Sequence, residues 1–231
     1  IRRFFLSCFA SIIRNASNAD PVPVSGLEVT AHMKRLDEAG RRIDPFGLFE
    51  KRVERELVGM QEFWEEAKDG STQVLKGDAT SLARHVPPGS ADVVITSPPY
   101  NTAVDYYRRH TLEMYWLGLV NSREDRLALA PKYLGREQVR RADRRLGSKL
   151  TSGYINRLIA HARSLGPKRE RAVTHYCASM SLALCQTSQA LKSKGRAIFV
   201  VGNSKWNGRH VRATKLLTEL ASEDFRVVET F

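Results

Sequence analysis

Cysteine is scarce in this chain of 231 residues, and long hydrophobic runs are missing. The three cysteines, Cys8, Cys177 and Cys185, have the spacing of neither a zinc site nor a disulfide framework. The apolar stretch at residues 1–13 is too short to span a bilayer and has no clean small-residue cleavage site after it, so it predicts a buried helix. These absences predict a cytoplasmic protein with reduced cysteines, no metal site and no membrane partner.

Positive charge is abundant and concentrated in one region. The chain has 37 Lys and Arg against 25 Asp and Glu, a formal net charge of +12, which predicts a polyanionic partner or an anionic membrane surface. Residues 121–171 hold 14 Lys or Arg and 5 Asp or Glu and so contribute +9 of that charge. Clustered cations of this kind bind DNA phosphates without sequence specificity. Gly147, Gly153 and Gly166 favour a mobile insertion made of short pieces, and the alternative is a solvated helical face.

The most informative stretch is an apolar strand that ends in a polar residue and two prolines. Val93, Val94 and Ile95 are consecutive and β-branched, which predicts a strand buried on both faces, as in a parallel sheet. Pro98 and Pro99 cannot continue the strand and make the following turn rigid. Open α/β sheets bind their ligands at the carboxyl ends of such strands.

The rest of the chain predicts a mainly parallel sheet with flanking helices. Strands are expected at residues 74–78, 92–96, 196–201 and 225–231, and a helix at 211–221. Residues 17–48 predict an extended loop, followed by a helix from Pro45 that Asp44 caps. Two helical stripes of apolar residues predict core packing: Phe49, Val53, Leu57, Met60 and Trp64, and then Val173, Tyr176, Cys177, Met180, Leu184 and Leu191, with Gly195 as the helix stop.

The four residues Ser97-Pro98-Pro99-Tyr100 resemble the catalytic motif of the DNA amino-methyltransferases. These enzymes methylate the exocyclic amino group of cytosine or adenine using S-adenosylmethionine. The resemblance implies a Rossmann-like α/β methyltransferase fold, incomplete in this chain, with residues 71–231 as part of the catalytic domain and residues 1–70 as an N-terminal helical and loop segment. It also implies double-stranded DNA as the partner, with a cognate restriction endonuclease as a further candidate.

The chemistry of these residue types suits methyl transfer to an amino group. The lone pair of an exocyclic amino nitrogen is delocalised into the ring, and two acceptors that grip its hydrogens favour the nucleophilic geometry. Ser97 Oγ and the Pro98 carbonyl are the expected acceptors, and Tyr100 is the expected stacking platform for a base extruded from the duplex. The alternative is an ordinary turn that ends a strand.

Other residues are assigned to the cofactor through the same resemblance. Asp78, after the Lys76-Gly77 pair, would contact the adenine amino group of S-adenosylmethionine or cap the next helix, or both. Thr96 and Asn203 would lie beside the cofactor. No Gly-x-Gly sequence occurs in the chain, although this family holds its cofactor on such a loop. We therefore expect that loop to lie upstream of residue 1, and the 231 residues alone to show no turnover.

The aromatic segment at residues 105–118 predicts a surface that stacks bases, with Arg108 and Arg109 as phosphate contacts. The alternative is a packed helix with Leu112, Tyr115 and Trp116 buried, which the pattern favours. Arg140, Arg141, Arg144 and Arg145 are the expected DNA contacts of the basic segment. Serine at position 97 favours cytosine over adenine as the target. Competing functions are an adenine methyltransferase, a DNA-binding remnant without catalysis, and a methyltransferase acting on RNA or protein glutamine.

Overall fold

The computed structural model describes residues 1–20, 29–67, 70–101, 106–135, 139, 153–206 and 209–230. The chain is mixed α/β, with a small parallel pair of strands and flanking helices. It divides into two compact units. The first unit comprises Ile1–Gln73 and Tyr106–Ala130, and the second comprises Val74–Asp105 and Pro131–Phe231.

The first unit is helical in its described residues. Its helices are α1 (Arg2–Ile12), α2 (Ala31–Glu38), α3 (Pro45–Ala67), α4 (Tyr106–Arg109), α5 (Thr111–Trp116) and α6 (Arg123–Leu129). The buried apolar side chains among its described residues are Cys8, Ile12, Ile13, Ala19, Met33, Met114 and Val120. Arg14 joins distant segments of the unit, because its guanidinium binds both carboxylate oxygens of Glu113 and the Arg109 carbonyl.

Helix α3 begins where the sequence predicts, but its apolar stripe is not core. Asp44 Oδ1 accepts a hydrogen bond from the Gly47 amide, which is the expected cap. The prediction of core packing is wrong: Leu57, Met60 and Trp64 are exposed, Trp64 to 81 %. Helix α3 is roughly 35 Å long and α1, which packs against it, only roughly 16 Å. The shorter helix therefore cannot cover the whole stripe.

Three further expectations for the first unit fail in the structure. Residues 17–48 contain helix α2, which begins after Thr30, whose side chain accepts a hydrogen bond from the Met33 amide. Helix α1 is only partly buried, with Cys8 and Ile12 inside. In α5 the buried residues are Thr111 and Met114, whereas Tyr115 and Trp116 are exposed. One edge of the Trp116 ring instead meets Phe9.

The second unit alternates strands and helices. In chain order its elements are a 3₁₀ helix (Ala79–Arg84), β1 (Ala91–Thr96), α7 (Gly153–Ser164), α8 (Pro167–Ala190), β2 (Leu191–Phe199), β3 (Ser204–Trp206), β4 (Arg209–Val211) and α9 (Ala213–Leu220). Helix α8 begins as such helices commonly do, with proline in its first turn after Gly166. It runs directly into β2 at Leu191. The sequence predictions that Leu191 lies on the helix and that Gly195 ends it are therefore wrong.

Strands β1 and β2 form the predicted parallel pair. The register aligns Val93 with Arg196 and Thr96 with Phe199. Both strands therefore finish at the same edge, which places Ser97 and Asn203 after matching carboxyl ends. The prediction that strand β1 is buried on both faces is wrong. Phe199 and Val201 pack against the core, but on the other face Val93 is 51 % and Ile95 70 % exposed.

The two outer strands expected for this sheet do not form. Residues 74–78 and 225–230 are without regular structure, and β1 and β2 pair only with each other among the described residues. Val74 is 93 % exposed and Val228 is exposed as well, so neither segment gains the burial that stabilises a strand. Residues 204–206, for which the sequence predicts no strand, form β3 and pair antiparallel with β4.

The core of the second unit lies between α7, α8, β4 and α9. Val173, Tyr176, Cys177, Met180 and Leu184 of α8 are buried, as the second apolar stripe predicts. Helix α7 belongs to the basic segment, and it contributes Ile155, Leu158 and Ala162 to the same core. The description of residues 121–171 as an insertion without a core role is therefore wrong for α7. Within the described ranges, no helix has the length and apolar character needed to cross a membrane.

Candidate active site

The loop Ser97-Pro98-Pro99-Tyr100 leaves β1 at the carboxyl edge of the parallel pair. The last ladder bond runs from the Val200 amide to the Thr96 carbonyl, at 2.9 Å. Proline has no amide hydrogen, so the ladder stops there for the reason that the sequence predicts. Pro98 is buried, Pro99 and Tyr100 are half-buried, and Ser97 is exposed. The loop therefore exposes Ser97 to solvent, while the neighbouring Pro98 anchors it in the interior.

The hydroxyl of Ser97 has a defined orientation. Ser97 Oγ donates a hydrogen bond of 3.0 Å to the Val200 carbonyl oxygen. A carbonyl oxygen can only accept, so the single hydroxyl hydrogen is used in this bond. The oxygen keeps its two lone pairs for an incoming donor, and its own donation increases its strength as an acceptor. An N–H group approaching Ser97 therefore meets an acceptor.

Tyr176 of α8 holds the loop from inside the core. Its hydroxyl donates a hydrogen bond of 2.9 Å to the Pro99 carbonyl. Burial, and then the neighbouring Cys177, raise the pKa of Tyr176 well above its usual value of 10.0. The phenol therefore stays protonated, and remains a hydrogen-bond donor, over the pH range in which proteins are usually handled. Tyr176 belongs to an apolar stripe, and this polar contact was not predicted from the sequence.

Two glycines allow close approach to Tyr100. Gly135 has a φ of +76°, and a Cβ placed there would overlap the Tyr100 carbonyl oxygen. At Gly202, after β2, a Cβ would lie 3.3 Å from the Tyr100 hydroxyl. Only glycine combines the left-handed conformation at position 135 with the space that Tyr100 needs. Tyr100 therefore packs closely against Gly135 at its backbone and against Gly202 at its ring.

A small pocket lies beside this loop. It has a volume of about 300 Å³, including space open to solvent. The loop contributes Pro98, Pro99, Tyr100 and Asn101, and the opposite walls are Tyr176, Val201, Val211, Ala213, Leu216 and Leu217. Asn101 is 7 % exposed, and its buried Oδ1 has no donor among the described residues. The pocket is therefore mainly apolar, with one buried acceptor that lacks a partner.

The three residues assigned to the cofactor have structural partners. Asp78 Oδ1 accepts hydrogen bonds of 2.8 Å from the Thr80 amide and hydroxyl, so it caps the 3₁₀ helix, as one of its two expected roles requires. Asn203 Oδ1 accepts from the Ala213 amide at the start of α9. Thr96 is exposed at the end of β1. Asn203 is thus tied to a helix whose first residue lines the pocket.

The residues proposed to contact DNA lie elsewhere in the chain. Arg108 and Arg109 belong to α4, in the first unit, where their carbonyls bind Thr111 and Arg14. Arg140, Arg141, Arg144 and Arg145 lie outside the described residues. The structure therefore brings together five predicted site residues at the sheet edge and the pocket: Ser97, Pro98, Pro99, Tyr100 and Asn203. The expected DNA contacts of the arginines stay predictions.

The pocket does not fit the whole of S-adenosylmethionine. That molecule has a charged amino-acid end, a ribose and an adenine ring, and each needs polar partners when buried. Most of the lining is apolar, and the enclosed space has room for about one water molecule, which is far too little for this cofactor. Among the described side chains, no group of His, Cys, Asp and Glu is arranged to hold a metal ion.

Comparison with known proteins assigns neither a family nor a function to this chain. No protein-family model, curated protein or solved structure matches this sequence.

Proposed function

We propose that this chain carries the base-binding and catalytic loop of a DNA amino-methyltransferase acting on cytosine. The observation that supports it best is the orientation of Ser97. Its hydrogen is committed to the Val200 carbonyl, at the edge where parallel sheets bind ligands. A hydroxyl held in this way is an acceptor before any substrate arrives, which is the preorganisation that such catalysis needs.

The proposed role of the loop is to activate the exocyclic amino group. Ser97 Oγ and the Pro98 carbonyl accept the two amino hydrogens. The nitrogen then loses conjugation with the ring, and its lone pair becomes available for attack. Tyr100, held between Gly135 and Gly202, stacks on the extruded base and replaces part of the stacking that the base loses on leaving the duplex. Tyr176 stabilises the loop through Pro99.

S-adenosylmethionine supplies the methyl group in enzymes of this class. The described residues do not form a site for the entire molecule, so we assign it no contacts in the pocket. Double-stranded DNA is the proposed substrate, and the basic residues between 121 and 171 are proposed to hold its phosphates. Adenine remains the alternative target base.

A DNA-binding remnant without catalysis is the second candidate. It is favoured by the small apolar pocket. In a remnant, the loop and its hydrogen bonds would be kept because they stabilise the fold. Both candidates bind DNA, and only the first transfers a methyl group to it.

Methyl transfer to duplex DNA separates the candidates. A longer protein that contains this sequence and the cofactor loop expected upstream of it is incubated with radiolabelled S-adenosylmethionine and duplex DNA, and the product nucleosides are then separated. We expect label in 4-methylaminocytosine. Label in 6-methylaminoadenine would keep the enzyme class and change the target base. DNA binding with no label in any base would favour the remnant.

A further inference from the structure

The second half of helix α3 is exposed on all sides. Every residue from 57 to 66 is exposed, and five of them have large apolar side chains: Leu57, Val58, Met60, Phe63 and Trp64. A short stretch of helix gains little stability without packing against another element. Apolar side chains clustered on a surface in this way mark a place where a protein associates with a partner.

The charge on this half of α3 has only one sign. Glu62, Glu65 and Glu66 are exposed near the end of the helix, and the sequence has no Lys or Arg from residue 56 to residue 66. Carboxylates at the carboxyl end of a helix are unfavourable, because the helix dipole is negative there. A cationic surface placed against this end would relieve that repulsion. We call residues 57–66 the acidic helix segment.

The parallel strand pair has an exposed face with the matching chemistry. Ile198 and Val200 of β2 are exposed, as are Val93 and Ile95 of β1. The exposed Arg196 belongs to the same face, because alternate residues of a strand share a face and the register aligns Arg196 with Val93. Parallel strands usually have helices packed on both faces. We call these five residues the basic sheet face.

We propose that the acidic helix segment of one copy of this chain packs on the basic sheet face of a second copy. The surfaces match in form, because the sheet face needs a helix and the helix segment needs an apolar surface. They also match in charge, since the glutamates of the segment meet Arg196. This inference goes beyond the proposed function and depends on neither Ser97 nor a cofactor.

The symmetry of the pairing favours a second copy over a different protein. Each copy has one helix segment and one sheet face, so the contact forms twice about a two-fold axis. The dimer then covers all four surfaces, and it closes instead of growing into a filament.

The first test is the oligomeric state of the 231-residue chain. Sedimentation equilibrium at micromolar concentrations should show a dimer. Trp64→Asp and Ile95→Asp should each raise its dissociation constant by at least about 30-fold, as substitutions at the centre of an interface do. Leu119→Asp is the matched control, because Leu119 is an equally exposed apolar residue of the first unit outside both surfaces. This control should leave the dimer unchanged.

The second test mixes the two variants. The Trp64→Asp chain keeps an intact sheet face, and the Ile95→Asp chain keeps an intact helix segment. An equimolar mixture therefore restores one of the two contacts and should form a heterodimer more tightly than either variant forms a homodimer. Pairing of α3 with α3 would instead leave the Ile95→Asp homodimer intact.

Each outcome decides the proposal. A monomeric wild type would overturn it in favour of another occupant of the two surfaces. A dimer that either substitution leaves intact, or variants that stay monomeric when mixed, would overturn it as well. Circular dichroism checks the fold of each variant. Phe63→Asp replaces Trp64→Asp, and Val93→Asp replaces Ile95→Asp, if the first choice does not fold.

Discussion

The hydroxyl of Ser97 lies 3.0 Å from the carbonyl oxygen of Val200, its hydrogen-bond acceptor on the neighbouring strand. The two residues follow directly after the paired ends Thr96 and Phe199. This contact joins the serine loop to the end of β2 and directs the oxygen lone pairs away from the sheet. A side-chain role at position 97 can therefore be tested without disturbing the ladder, which uses only backbone groups.

In the longer protein that includes the expected cofactor loop, Ser97→Ala should abolish most methyl transfer while leaving the fold and DNA binding nearly intact. Losing one preorganised group of this kind costs ~100-fold to 1000-fold in rate, and the loss should fall on kcat, because the acceptor matters most in the transition state. Single-turnover methyl transfer measures it. Ser90→Ala is the matched control, because Ser90 also donates to a carbonyl, that of Pro87. Full activity in Ser97→Ala would remove this mechanism.

Tyr176→Phe should lower the free energy of unfolding by about 0.5–1.5 kcal/mol, because the half-buried Pro99 carbonyl loses its donor. Urea denaturation measures the change. Tyr115→Phe, at an exposed tyrosine of α5, removes the same atom elsewhere and should have little effect. Equal effects of the two substitutions would argue against the hydrogen bond as the cause.

Gly135→Ala should destabilise the protein more than Gly89→Ala. Both glycines have positive φ, so both substitutions strain the backbone, but a Cβ at Gly89 meets nothing within 4 Å. At Gly135 it would overlap the Tyr100 carbonyl oxygen. We expect the difference to be at least about 1 kcal/mol, as for other overpacked sites, measured by urea denaturation. Similar losses for both variants would show that backbone strain alone is responsible.

Stability should fall as the pH rises above about 9. Burial raises the pKa of the Cys177 thiol from its ordinary 9.0 to about 12. Between these values the unfolded chain releases a proton that the folded chain retains, so deprotonation favours unfolding by up to about 1.4 kcal/mol per pH unit. The stabilisation is therefore complete below pH 9 and is lost as the pH rises towards 12.

Denaturation of wild type and Cys177→Ala between pH 8 and 11 tests this origin. The variant has no thiol at this position, so its free energy of unfolding should decline less steeply with pH. Its stability should also be lower by a constant amount at neutral pH, because the alanine side chain is smaller. Tyr176 contributes to the same decline at the upper end, because its pKa is raised too. Parallel curves for the two proteins would assign the pH dependence to other groups.

Replacing Arg140, Arg141, Arg144 and Arg145 by alanine should weaken binding to unrelated DNA duplexes about equally. Each lost phosphate contact should reduce the slope of log affinity against log salt by roughly one unit. Fluorescence anisotropy at several salt concentrations measures that slope. A control variant removes four exposed cations of the first unit instead: Lys34, Arg42, Lys51 and Arg55. The same slope in wild type and the arginine variant would contradict a docking role.

Local patterns in the sequence predicted the elements that depend on local chemistry. Val93 to Ile95 form a strand, Asp44 caps α3, and the stripe from Val173 to Leu184 is buried. Each of these depends on residues close together in the chain. The end of β1 at its prolines follows from the missing amide hydrogen in the same way.

Features that depend on distant partners were not predictable. A helical stripe cannot show whether another element covers it, so α3 and α8 have similar patterns but only α8 is buried. The strands expected at 74–78 and 225–231 needed neighbours to pair with. At the site, Tyr176 and Gly135 come next to the loop only through the fold, and no local signal marks either one.

The hydrogen bond from Tyr176 to Pro99 also determines how the reactive loop comes apart. Surface loops usually open by local fluctuations that take far less free energy than unfolding of the core. Here, release of Pro99 leaves a buried phenol without its acceptor, inside the helix that forms the centre of the core. The loop and α8 therefore belong to one cooperative unit. Amide protons of the two segments should exchange with solvent at comparable rates, as parts of a single opening event.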